Sequence, residues 1–209
     1  MTWYGQKETD KHIAKYFDEQ STGTCIEVGV SDGKKGSNTL YFEENGWRAI
    51  CIDPIPEHVE AAKKIRKEVI EIACGKEEGG QEFYVFDIGD NNILSSLSGL
   101  KPDPKLLISH GHLINKCYTI PVKIKRLDDI IKEMGLSDID FISIDTEGTE
   151  LDVLMGLDLE CKNYRISMLV VENNHDEDTY EKYLNKFGWQ KIERHFVNDF
   201  YVRKPTWWK

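Results

Sequence analysis

The chain has 209 residues, of which 40% are hydrophobic and 31% charged, and its 37 acidic and 27 basic side chains give a formal net charge of −10. That is the size and make-up of one globular domain with a sizeable core. The acidic balance argues against a broad footprint for nucleic acid or an anionic membrane, and no apolar run reaches the length of a membrane span.

The opening MTWYGQKETDK lacks the apolar core of a signal peptide. The five cysteines (Cys25, Cys51, Cys74, Cys117 and Cys161) are odd in number and show no CxxC spacing. They predict free thiols in a reducing, cytoplasmic setting rather than a disulfide framework or a zinc ribbon.

In chain order, a helical pattern at 7–18 precedes TCIEVGV (24–30), the first of several short β-branched runs. RAICID (48–53), VIEIAC (69–74), DFISID (140–145) and SMLVVEN (167–173) follow, apolar nearly throughout, as suits strands covered on both faces of a parallel sheet. Helical patterns fall between and beyond them, at 38–45, 57–68, 127–134, 150–156 and 177–187. The 57–68 stretch follows Pro56 and spaces Val59, Ala62 and Ile65 along one face. From 75 to 123 the pattern is least regular: EEGGQEFYVF reads as a small hairpin and DIGDNNILSSLSGLKPDP as loop. WQKIERHF (189–196) and DFYVRK (199–204) close the chain, joined so tightly at Asn198 that they must run antiparallel. Residues 1–209 therefore read as a single α/β domain, an open doubly wound, mostly parallel seven-stranded sheet with an antiparallel C-terminal hairpin. That sheet matches the Rossmann-like class I methyltransferases.

In such sheets ligands sit at the carboxyl ends of the strands, near the point where strand order reverses. IEVGVSDG places Glu27, Gly29, Ser31 and Asp32 there, with glycine allowing backbone to approach a ligand. A dinucleotide fingerprint would require glycine at 29, 31 and 34; Ser31 and Lys34 break it, and no phosphate-binding GKS or GKT follows. Asp53 ends the second strand, where an acid accepts hydrogen bonds from ribose hydroxyls. An acid there without the dinucleotide glycines points to S-adenosylmethionine. The fourth strand ends in Asp145 and Glu147, the fifth in Glu172, Asn173 and His175. Neighbouring strands lie roughly 5 Å apart, so these groups converge on one edge.

These residues carry a resemblance. IEVGVSDGKKGSNT, CIDP, SSLSGL, RLDDIIKEMG, DFISIDTEGTELDVLMGLD, VVENN and the opening YGQKETD resemble the FkbM-type methyltransferase family over nearly the whole chain. The resemblance implies O-methylation from S-adenosylmethionine, often on sugars or other natural-product hydroxyls. It assigns Gly29, Ser31 and Asp32 to the methionyl part of the donor, with Asn38 closing the pocket. Asp53 takes the ribose, Ala73 lies by the adenine, and Gln6 reaches in from the N-terminal segment. Ser95 and Ser96 would line the acceptor pocket. Ser143 departs from the lysine many members carry, which leaves acceptor choice open.

Removing a proton from a sugar hydroxyl requires a base or a metal. Asp145, Glu172 and Asn173 resemble the acid, acid and asparagine set of catechol-type O-methyltransferases, a hard-oxygen site suited to Mg²⁺ or Mn²⁺. Glu147 or His175 would then be the base. A metal-free route uses Asp145 or Glu147 directly. The expected acceptor is a sugar or glycan, with neither nucleic acid nor membrane as partner. RNA or protein methylation and a catalytically silent adenosine-binding module are the alternatives.

Overall fold

The computed structural model describes residues 2–17, 20–87, 98–101 and 104–203. Ser95, Ser96 and the terminal Trp207 and Trp208 lie outside them.

Five parallel strands form the centre and one side of the main sheet: β1 (Thr24–Val28), β2 (Arg48–Asp53), β3 (Glu68–Glu71), β7 (Asp138–Ile144) and β8 (Arg165–Glu172). The hairpin of β9 (Trp189–His195) and β10 (Asn198–Arg203) completes it, and the order is β3-β2-β1-β7-β8-β10-β9. β10 inserts antiparallel between β8 and β9. The order reverses between β1 and β7, so the switch point falls where Gly29 and Asp145 leave the sheet.

Alternation along each strand sends side chains to opposite faces. Ile26, Val28, Ile142 and Ile144 pack with α5 (Leu127–Glu133), α6 (Glu150–Met155) and α7 (Thr179–Leu184). Cys25, Ala49, Phe141 and Val170 face the other way, with Ile13 of α1 (Thr9–Ala14) and Phe42 of α2 (Leu40–Glu44). Cys51 packs on Ala62 of α3 (Pro56–Ala62). Covering both faces is why the central strands read as unbroken apolar runs.

Four sequence expectations are corrected. VIEIAC does not make one strand: after β3, β4 (Ala73–Cys74) leaves the main sheet and pairs parallel with β6 (Lys116–Lys125). No hairpin lies within 77–86; β5 (Gly79–Asp87) is one strand, antiparallel to β6, in a separate three-stranded sheet of order β4-β6-β5. A short α4 (Pro104–His110) precedes β6. The third helix stops at Ala62 because the chain turns so that Arg66 can enter the interior, leaving Ile65 half exposed. The tight turn near the end sits at Phe196–Val197, with Asn198 already in β10.

No helix among the described residues is long and apolar enough to cross a membrane.

Candidate active site

The strand ends at the switch point meet closely. The Asp145 amide donates to the Val28 carbonyl at 2.9 Å, and the Gly29 amide to Ile52 at 2.9 Å. Gly29 has φ +90°, and a Cβ there would be driven into the Asp145 carbonyl oxygen. Only glycine allows β1 to turn beneath β7 at this point.

Ser31, left-handed at φ 52°, gives its amide to Asp53 Oδ2 at 2.9 Å. The other Asp53 oxygen accepts the Ile55 amide at 3.0 Å and faces His58 Nδ1 at 3.1 Å. Asp53 thus ties the glycine turn to the start of α3. Asp32 Oδ1 accepts the amides of Lys34 and Lys35, both at 2.8 Å, and shapes the next turn. Ala73 is buried in an apolar wall with Ile55, Val85 and Leu100.

Glu27 is buried and its carboxylate is engaged by protein. It accepts Ser37 Oγ at 2.7 Å, the Asn38 amide at 2.6 Å and Thr39 Oγ1 at 2.6 Å. Arg66, with a fully buried side chain, lies between Glu27 and Glu43 and also donates to Gly33 O, Ser37 Oγ and Thr39 Oγ1. Sequence reasoning missed Arg66, since KKIRKE reads as a solvated charged stretch; the one signal was an arginine among lysines.

Asn38 donates to Ser143 Oγ at 2.9 Å, while its own buried Oδ1 has no hydrogen-bond partner among the described residues. Above it lies Gly5, whose backbone bridges to Gly36, and the Gly36 amide donates to Tyr4 O at 3.0 Å. Gln6, exposed, stands at the start of the 3-10 turn Gln6–Glu8 in that segment. A glycine turn open to close approach, a ribose-type acid, an apolar wall and an orphaned amide oxygen fit an adenosine-bearing methyl donor.

On the other side of the switch point, Asp145, Glu147 and Glu172 bring carboxylate oxygens within 4.8 Å of one another. Asp145 and Glu172 lie side by side within this group, so ionising one disfavours ionising the other. Burial, then the charge of Glu150, raises Asp145 to about 7. Burial and the charges of Asp145 and Glu147 raise Glu172 well above the usual carboxylate range. Glu147 is held at φ 54° and precedes Gly148 at φ 110°. Gly99, the glycine of the SSLSGL motif, packs against the carbonyls of Thr146 and Glu147.

Asn173 does not join this group. Its Nδ2 donates to Glu177 O and Asp199 Oδ2, both at 2.8 Å, and its Oδ1 accepts the Glu177 amide at 3.0 Å. His175 is half-buried on the turn after β8. Of the other histidines, His195 meets Lys7 O at 2.7 Å and stacks on His12, and His112 is exposed.

The sheet order, the hairpin and the site at the β1/β7 switch define a class I methyltransferase fold. The METTL16 methyltransferase domain superposes with a TM-score of 0.53 at 11% identity, covering 94% of this chain and 65% of that one, a likeness of fold alone. The chain matches the methyltransferase FkbM domain over residues 27–196 and belongs to that family. Family membership implies S-adenosylmethionine as the methyl donor.

Among curated relatives, the 2-O-methyltransferase NoeI of Sinorhizobium fredii is 27% identical over 144 residues, 66% of this chain and 58% of that protein. The AMB antimetabolite synthetase AmbE of Pseudomonas aeruginosa is 38% identical over 153 residues, 72% of this chain and 6% of that protein. The chain thus spans well under two thirds of each.

If Asp53 serves the donor, Asp53→Ala removes the acceptor of the Ser31 and Ile55 amides along with any ribose contact. S-adenosylhomocysteine affinity should fall by roughly 1–3 kcal/mol, and NAD should not compete for the site. Isothermal calorimetry checks both; unchanged affinity in the variant would remove Asp53 from the donor site.

Proposed function

We propose that this chain transfers a methyl group from S-adenosylmethionine to a hydroxyl group of a sugar or glycan. The observation that carries the reading is the close set of carboxylates Asp145, Glu147 and Glu172 at the strand edge next to Gly29. The similarity to a 2-O-methyltransferase supports oxygen as the accepting atom.

The bound donor supplies an electrophilic methyl group. The chain holds the donor through Gly29, Ser31, Asp32, Asn38, Asp53 and Ala73, with Gln6 above. Burial has tuned Asp145 near neutrality, where a carboxylate can accept a hydroxyl proton and release it again. Glu147 orients the acceptor by accepting a hydrogen bond from a neighbouring hydroxyl of the polyol, which leaves the reacting hydroxyl's proton to Asp145. An acidic pocket also disfavours anionic acceptors, consistent with a neutral polyol.

The experiment is methyl transfer from labelled donor to free hexoses, deoxyhexoses and glycan fragments, with RNA, protein and small hydroxyl-bearing metabolites as competing arms. The AmbE match supports the last arm as a second reading, in which the acceptor is a small metabolite made by a synthetase. Donor binding without transfer to any arm would favour a silent binding module.

A metal is tested separately. The hard-oxygen set offers Asp145 and Glu172 with Glu147, while Asn173 is engaged by Glu177 and Asp199. Because burial raises Asp145 and Glu172 toward their protonated forms and so lowers the charge of this set, turnover should persist in excess EDTA. Loss on chelation and recovery with Mg²⁺ or Mn²⁺ would instead assign the carboxylates to a cation.

A further inference from the structure

The loop that presents Glu147 is held by a single buried carboxylate. Glu150 is 2% exposed. Its Oε1 accepts three hydrogen bonds: from the Thr146 amide at 2.9 Å, Thr146 Oγ1 at 3.0 Å and the Gly148 amide at 3.1 Å. These donors bracket Glu147, the non-glycine residue whose φ is +54°. A left-handed conformation costs about 1–3 kcal/mol and persists only where its surroundings over-determine it.

The second oxygen of Glu150 reaches another element. Tyr180 on α7 donates its hydroxyl to Glu150 Oε2 at 3.0 Å. Burial and the neighbouring charge of Glu150 push this phenol's pKa up, so it stays a donor. The segment between β8 and α7 carries Asn173 and His175, directly after Glu172. The Tyr180–Glu150 bond therefore pins the loop after β7 to the element that follows β8. Glu147 lies in that loop, and Glu172, the residue it meets, is the last of β8.

We infer that Glu150 and Tyr180 are positioning residues, which hold the 145–148 loop in its strained conformation and so set Glu147 for the acceptor. Neither touches the reacting atoms in this scheme. The inference rests on the proposed role of Glu147 for its functional half, and on the hydrogen bonds alone for its structural half.

Tyr180→Phe is the test, because it keeps the ring that packs against the core and removes only the hydroxyl. Amide hydrogen exchange on the full chain needs no acceptor. Gly148 and Thr146 should exchange about ten-fold faster than in the parent, with the melting temperature nearly unchanged. Glu150→Gln, which keeps an acceptor oxygen for the loop, should behave more mildly than Glu150→Ala. Unchanged exchange at both amides in Tyr180→Phe overturns the inference.

With the best acceptor from the sugar panel, Tyr180→Phe should lower kcat about ten-fold and leave the KM for donor alone. In a Glu147→Gln background it should cost little more, since its effect runs through Glu147. An undiminished loss in that background overturns the route through Glu147. A Glu147→Gln variant that retains full turnover overturns the role of Glu147 itself, while the exchange result still decides whether the loop is held as described.

Discussion

Asp145→Asn should lower turnover by about 10²–10⁴-fold while changing S-adenosylhomocysteine affinity by no more than a few-fold. The asparagine keeps the backbone bond to Val28 and can still meet Glu172, but it cannot accept the acceptor's proton. The same substitution should stabilise the fold at alkaline pH. In the native protein burial raises Asp145 from 3.8 to about 7 and raises Glu172 in the same direction. Well below the unfolded Asp value of 3.8, the folded and unfolded chains both hold these protons. Between there and about 7 the folded chain retains protons that the unfolded chain has given up, so stability falls as pH rises through that window. In EDTA-treated protein, thermal melts from pH 5 to 8 should show this decline, and Asp145→Asn should flatten it. At pH 8 the variant should melt higher, by about 2–4 °C for each kcal/mol recovered. An active asparagine variant, or one with an undiminished pH slope, would show that Asp145 is an ordinary strand-end acid.

Arg66→Met carries the largest expected cost to stability. It leaves Glu27 and Glu43 as neighbouring buried carboxylates without their cation, and the donors Ser37 and Thr39 lose an anchor. Breaking a buried ion pair in this way costs about 3–5 kcal/mol. Urea denaturation should show the loss as a lower midpoint at constant m-value. A change below about 1 kcal/mol would mean that the surrounding turn relaxes to admit water.

The contrast between these two residues shows where sequence reasoning reached and where it stopped. Asp145 was legible because β7 is apolar on both faces, so an acid at its end stands out against Phe141, Ile142 and Ile144. The parallel, doubly covered character of the central strands followed from the same burial. Arg66 was illegible because burial of a charge depends on two carboxylates 39 and 23 positions away, and nothing local in KKIRKE announces them. β6 escaped notice, and β5 reads as a small hairpin, for a related reason: largely exposed strands, as in the sequence from Gly79 to Glu82, carry little periodicity. Glu27 shows the opposite error of emphasis, since a strand-end acid beside a glycine turn reads as a ligand contact. Its side chain faces α2 and α3, where four protein groups engage it. Asn173 likewise read as a neighbour of Glu172, but alternation along β8 and the insertion of β10 put Asp199 within its reach instead.

The segment over the donor loop has a consequence for how the protein is made. Residues 4–12 cover the 34–38 turn, yet they are fastened to the far end of the chain. His12 meets Glu193 at 2.9 Å, Lys7 O meets His195 at 2.7 Å, and Asn198 Nδ2 donates to Thr9 at 3.3 Å. On the ribosome these early residues emerge well before their partners, and β9 and β10 complete the sheet last. Residues 4–12 must therefore wait, undocked, until the β9–β10 hairpin has been added. Closure over the donor pocket is a late folding event, and a nascent chain stalled before residue 189 should not retain the cofactor.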